Sequence, residues 1–89
     1  MKAIVTVIGG DKVGIIASIS SILAEKSINI EDVNQTIMGE SFTMMMLVDL
    51  KDTSEPFDNV RKDLIDLGTA LELSIRIQRE EIFMSMHQV

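Results

Sequence analysis

The chain has no cysteine, tryptophan or tyrosine, one proline and only three phenylalanines in 89 residues. Without cysteine there can be no disulfides, thiolate metal sites or thiol nucleophiles. The single histidine, His87, stands near the end of the chain, so hydrolytic catalysis and a histidine-rich metal site both lack their parts. Basic residues are also scarce: eight Lys and Arg face fourteen Asp and Glu, for a net charge of −6. With no basic cluster, nucleic acid is a poor partner, because phosphate neutralisation supplies most non-specific affinity. No apolar run approaches the ~20 residues of a membrane span. The N-terminal run is too short and too β-branched for a signal peptide. A soluble, cytoplasmic protein is expected, with no membrane or nucleic-acid partner, no metal, no cofactor and no catalytic residues.

What remains is a small, strongly apolar domain. Apolar residues make up 46% of the chain, enough for a real core. Seven methionines do part of the packing that aromatics usually do, which makes for a soft, adaptable interior. A chain of this length buries only about 60–65% of its unfolded surface, so association with a second copy is a natural source of stability.

Hydrophobic periodicity sets the order of elements. Residues 2–8 are β-branched and end at Gly9-Gly10, the mark of a strand, and both faces are apolar, which places it inside a sheet. Asp11 is read as the N-cap of the helix that follows, whose stripe is Ile15, Ile19, Ile22 and Leu23. A second strand, Ile28 to Met38, changes parity: Ile28 and Ile30 share one face, then Val33, Gln35 and Ile37. That switch implies a β-bulge near Glu31-Asp32. After a turn at Gly39-Glu40-Ser41, a third strand runs from Phe42 to Leu50 with apolar residues on both faces. Ser54 is read as the N-cap of a second helix with Pro56 in its first turn, a stripe of Phe57, Val60, Leu64 and Leu67, and Gly68 as its C′ residue. A fourth strand, Leu71 to Arg79, alternates apolar and polar as an edge strand does. Residues 80–89 form a short C-terminal helical extension carrying Ile82, Phe83 and Met86 at helical spacing.

The order β-α-β-β-α-β predicts an α+β, ferredoxin-like domain over residues 1–79, with two helices on one face of a four-stranded antiparallel sheet. Met45 and Leu47, with some of Ile4, Thr6 and Ile8, then fall on the face those helices leave open. An apolar open face is a contact surface, covered either by the C-terminal helix or by a second copy. A homodimer involving that helix is expected.

The chemistry concentrates at Gly9-Gly10-Asp11-Lys12-Val13-Gly14. A strand that turns through glycines into a helix leaves backbone amides without intrahelical partners at the positive end of the helix dipole, a receptor for a small anion such as a carboxylate. Gly9 and Gly14 share the spacing of a phosphate loop, but Ile15-Ile16 stand where its Lys and Ser/Thr belong. Asp11 replaces the second glycine of a dinucleotide fingerprint. The competing structural reading is that the glycines only allow a tight turn. Asn29 is either a left-handed turn residue or, with Ile30, part of a site reached from a neighbouring chain. Asn34, Gln35 and Thr36 form a polar trio on the second strand.

Asp11-Lys12-Val13-Gly14-Ile15-Ile16-Ala17 resembles the D-R-P-G-L turn and helix start of the ACT domain, a small regulatory module of amino-acid metabolism. Ser27-Ile28-Asn29-Ile30 resembles the family's x-x-N-I segment. Gln35 and Phe42-x-Met44 narrow the likeness to the ACT halves of the glycine-cleavage repressor and formyltetrahydrofolate deformylase, and to small stand-alone bacterial ACT chains. The resemblance implies amino-acid binding between paired domains, with Asp11, Val13, Gly14 and Ile15 meeting the ligand beside Asn29 and Ile30 of the other copy. Val13 departs from the family's proline. With no catalytic or DNA-binding region attached, such a module is expected to act through a partner enzyme or regulator, or to sense without an output of its own. The alternative is an ACT-like dimerisation or docking module without a ligand. An acylphosphatase-like enzyme would need an arginine where Lys12 stands.

Overall fold

The computed structural model describes residues 1–86. Seven elements follow one another: β1 (Lys2–Gly10), α1 (Ile15–Glu25), β2 (Asn29–Met38), β3 (Ser41–Asp49), α2 (Phe57–Leu71), β4 (Leu73–Arg79) and α3 (Glu80–Met86). The strands form one antiparallel sheet in the order β2-β3-β1-β4, the ferredoxin-like α+β fold. The doubly apolar strands β1 and β3 are its centre, and the alternating β4 is an edge. His87 lies outside the described residues.

Period-two alternation builds the core. Ala3, Val5 and Val7 of β1, with Phe42, Met44, Met46 and Val48 of β3, are buried on the side that α1 and α2 cover. Ile15, Ile19 and Leu23 close over them from α1, and Val60 and Leu64 from α2. Two of the seven methionines, Met44 and Met46, sit in the middle of this core. Among the described residues no polar or charged side chain is buried, so the interior is held by apolar contact alone. The bulge falls where the parity switch puts it. Ile30 pairs with Val48 and Asp32 with Leu47, leaving Glu31 extra, so Ile30 and Val33 come to the same face despite their odd spacing.

Three capping assignments need correction. Asp11 does not cap α1. The N-cap is Gly14, left-handed at φ 88°, with no side-chain hydrogen bond to the helix end. The Asp11 amide instead donates to the Glu40 carbonyl (2.8 Å), tying the turn to the β2–β3 hairpin. Ser54 does not cap α2. Pro56 is the N-cap, extended at ψ 148°, and it drives Glu55, the residue before it, out of the helical region that a Ser54 cap would require of it. Gly68 is not a C′ residue but a buried position inside α2, and Glu72 takes the left-handed cap at φ 59°. The reason is steric: a Cβ on Gly68 would lie 2.7 Å from the Leu73 carbonyl oxygen and 3.0 Å from Ile75 Cγ1. The glycine lets α2 settle onto β4, the helix runs on to Leu71, and β4 begins at Leu73 rather than Leu71.

Lys26, at the C-cap of α1, joins the two helices. Its Nζ lies 2.9 Å from Glu55 Oε1 and 2.5 Å from Asp63 Oδ2. Hydrogen bonds to Asp63 and Glu55 raise the lysine above its ordinary value, and the lysine's hydrogen bond lowers Asp63. On the opposite sheet face α3 folds back over its own β1 and β4, with Phe83 half-buried. Of the two coverings expected for that face, the chain's own helix supplies one, while Ile8 and Met45 keep 52% and 37% exposure. No helix among the described residues is long and apolar enough to cross a membrane.

Candidate functional site

β1 delivers the chain to the helix side of the sheet through Gly9 and Gly10, and Gly14 turns it into α1. The left-handed φ at Gly14 is one that L side chains adopt at a cost, which is why glycine stands there. The first α-helical bond runs from the Ser18 amide to the Gly14 carbonyl (2.9 Å). The amides of Ile15, Ile16 and Ala17 therefore lie ahead of the intrahelical ladder, at the positive end of the dipole.

These amides border an open cleft of about 380 Å³. Asp11, Gly14 and Ile16 form one wall, Gln35 and Ile37 of β2 the other, with Phe42 beneath. The cleft lies where α1 leaves part of the edge strand β2 uncovered. The helix-side residues of β2 stay exposed there, Val33 at 43% and Ile37 at 52%. Lys12 also lines the cleft, and its Nζ donates to the Leu71 carbonyl at the end of α2, a favourable place for a cation. Asp11 and Lys12 are the two charged residues of the cleft beside the uncapped amides.

Of the six residues singled out in the sequence, the structure brings Asp11, Gly14 and Ile15 together in the cleft. Val13 lies at the tip of the turn with its side chain fully exposed. Asn29 and Ile30 are elsewhere. Gly10 pairs with Ser41 and Ser41 with Met38, whereas Asn29 pairs with Asp49 at the Lys2 end of the sheet. Eight strand positions separate the two ends, about 26 Å at ~3.3 Å per residue. Nor is Asn29 the left-handed turn residue, because Ser27 takes that conformation (φ 59°) and Asn29 opens β2. Ile16, Gln35 and Ile37 were not expected in the cleft. The signal for the last two was their shared parity with Val33 on a strand that proves to be an edge. Among the described residues no group of acidic or histidine side chains is arranged to hold a metal ion.

The fold and this cleft define a class, a single-sheet α+β module with an uncapped helix end beside a free sheet edge. A sequence profile of the ACT domain matches residues 2–78. A UPF0237 protein of Clostridium acetobutylicum is 60% identical over 89 residues, covering all of both chains. The solved structure of an ACT domain protein from Streptococcus pneumoniae superposes with a TM-score of 0.81 at 43% identity, covering 93% of each chain. Two more distant structures share the fold alone. A formyltetrahydrofolate deformylase from Burkholderia mallei has a TM-score of 0.78 at 11% identity, over 88% of this chain and 28% of that one. A putative glycine cleavage system transcriptional repressor has a TM-score of 0.73 at 24% identity, over 86% and 44%. The chain belongs to the ACT domain family, whose members are generally regulatory, amino-acid-binding modules.

Proposed function

We propose that this protein is a regulatory module that binds an amino acid at the β1–α1 turn, across the interface of a homodimer, and acts through a partner protein. The observation that carries the reading is the cleft itself, which sets unpartnered amides, an acid and an apolar wall side by side. The amides of Ile15, Ile16 and Ala17 suit a carboxylate. Asp11 suits an ammonium group, and Ile16 with Ile37 suits a small or apolar side chain.

The β2 edge supports the dimer. It is ten residues long and unpaired on its outer side, a template for another strand. Val33-Asn34-Gln35-Thr36-Ile37 is close to a palindrome of residue character about Gln35. Two copies pairing antiparallel about that residue would set Val33 beside a second copy's Ile37, and Asn34 beside its Thr36, in both halves of the seam. In this register the second copy's Asn29 and Ile30 arrive at the level of the first copy's turn. The 26 Å separation within one chain is then what a shared site requires.

A thermal-shift panel of the common amino acids tests the reading. A ligand at ~100 times its dissociation constant stabilises by about 2.7 kcal/mol, on the order of 10 °C for a domain this size. The second reading, a docking module without a ligand, is favoured by the apolar Val13 held fully in solvent at the turn's tip. No response to any amino acid, together with an intact dimer, would select it.

A further inference from the structure

The opposite face of the sheet holds a second cavity, unconnected with the turn. It measures about 510 Å³, within the range of small-molecule sites. Two kinds of residue meet there. Thr6, Ser74, Arg76 and Gln78 come from β1 and β4, and Met45, Phe83 and Met86 give it an apolar wall. The wall depends on α3, whose Met86 Sδ is held by the Gln78 amide nitrogen at 3.6 Å. The ACT match ends at residue 78, so α3 is an addition to the shared module, and this cavity comes with it.

Arg76 is the telling residue. The N-terminus, Lys2, Lys26, Arg61 and Lys62 each have a carboxylate within 4.0 Å, and Arg79 lies over the Phe57 ring at 5.7 Å. Among the described residues Arg76 has no such carboxylate, nor have Lys12, Lys51 and Arg79, but of these four only Arg76 lines this cavity. A guanidinium without a carboxylate partner among the described residues, in a cavity that two hydroxyls and an amide also line, is a receptor for one planar anion. The net charge of −6 disfavours polyanions. The apolar wall asks for a hydrocarbon body.

We infer that the cavity between α3 and the open sheet face is a second ligand site, taking a small monocarboxylate with an apolar chain, its carboxylate on Arg76 and its chain against Met45, Phe83 and Met86. The inference does not rest on the amino-acid reading, and either site can fail alone.

Methionine-methyl NMR on the full chain tests it, with octanoate as probe and octanamide as its neutral counterpart. Octanoate is expected to shift the Met45 and Met86 methyls saturably and to leave Met44 and Met46, buried on the other side of the sheet, in place. Octanamide is expected to bind at least about tenfold more weakly, a gap of the size a charge-assisted pair supplies. Arg76→Gln should bring octanoate down to the octanamide level, with circular dichroism confirming the fold. Gly14→Ala should leave octanoate binding unchanged. Absence of Met45 and Met86 shifts at millimolar octanoate, as a second copy seated on this face would produce, overturns the inference. So does equal binding of octanamide, or an Arg76→Gln response like that of the parent chain.

Discussion

Gly68→Ala separates two accounts of the same glycine. In the interior of a helix, alanine is the better residue by about 1 kcal/mol, so on propensity alone the substitution should stabilise. The packing points the other way. The new Cβ would sit 2.7 Å from the Leu73 carbonyl oxygen and 3.0 Å from Ile75 Cγ1, at a residue that is buried. The carbonyl is backbone of β4 and cannot rotate aside as a side-chain tip would, so α2 or β4 must move. Overpacking of this kind costs about 1–3 kcal/mol. Because the obstructing atom is backbone, the upper part of that range, about 2–3 kcal/mol, applies, and less the propensity gain a net loss of about 1–2 kcal/mol is expected. At ~4–8 °C per kcal/mol for a domain this small, the melting temperature should fall by roughly 5–15 °C. Urea denaturation should show a lower midpoint with an unchanged slope. A melting temperature equal to or above that of the parent chain would mean that α2 does not lie this close to β4, and the account of Gly68 would be refuted.

Four further outcomes are expected. Asp11→Asn should weaken amino-acid binding by about tenfold or more while moving stability by less than ~0.5 kcal/mol, because Asp11 is exposed and uncaps nothing; titration calorimetry and thermal melts read the two effects. Gly14→Ala should cost about 1–2 kcal/mol from its φ of +88° alone, since nothing lies within 4 Å of the added Cβ; a loss well beyond that would reveal a contact the turn does not make. Asp63 is held below its ordinary 3.8, chiefly by the Lys26 hydrogen bond, so its contribution is present above that value and fades as pH falls through the lowered one. Lys26 is held above its ordinary 10.5, so its contribution is full below 10.5 and fades at still higher pH. Lys26→Met should therefore flatten the acid limb of a stability–pH curve, and an unaltered limb would show the bridge to be idle. Ile37→Glu, on the proposed seam, should yield monomers in sedimentation at micromolar concentration, whereas Ile65→Glu on α2 should not.

Much of the architecture can be read from the chain because periodicity carries it. Continuous apolar character on both faces marked β1 and β3 as central, alternation marked β4 as an edge, and one parity switch located the bulge at Glu31. Capping was legible only in part. Asp11, Ser54 and Gly68 each carry a local signal for a helix end, and each is overridden, Asp11 and Gly68 by a contact from elsewhere and Ser54 by a neighbour in sequence. For Asp11 this is the Glu40 carbonyl, for Ser54 the restraint that Pro56 places on Glu55, and for Gly68 the approach of β4. The candidate site was half legible for a related reason. Asp11, Gly14 and Ile15 belong to one turn and are neighbours in sequence. Gln35 and Ile37 join them only because β2 is an edge that α1 leaves partly uncovered, and Lys12 ties the turn to a carbonyl 59 residues away. Nothing local encodes either fact.

The central claim is that the first amides of α1 receive an amino acid's carboxylate. Amide NMR of the ¹⁵N-labelled protein, titrated with the amino acid that most raises its melting temperature, observes those groups directly. Saturable shifts of Ile15, Ile16 and Ala17, with the Gln35 side-chain amide moving alongside, are the expected result. Shifts that leave these amides in place and gather on another part of the molecule would contradict it.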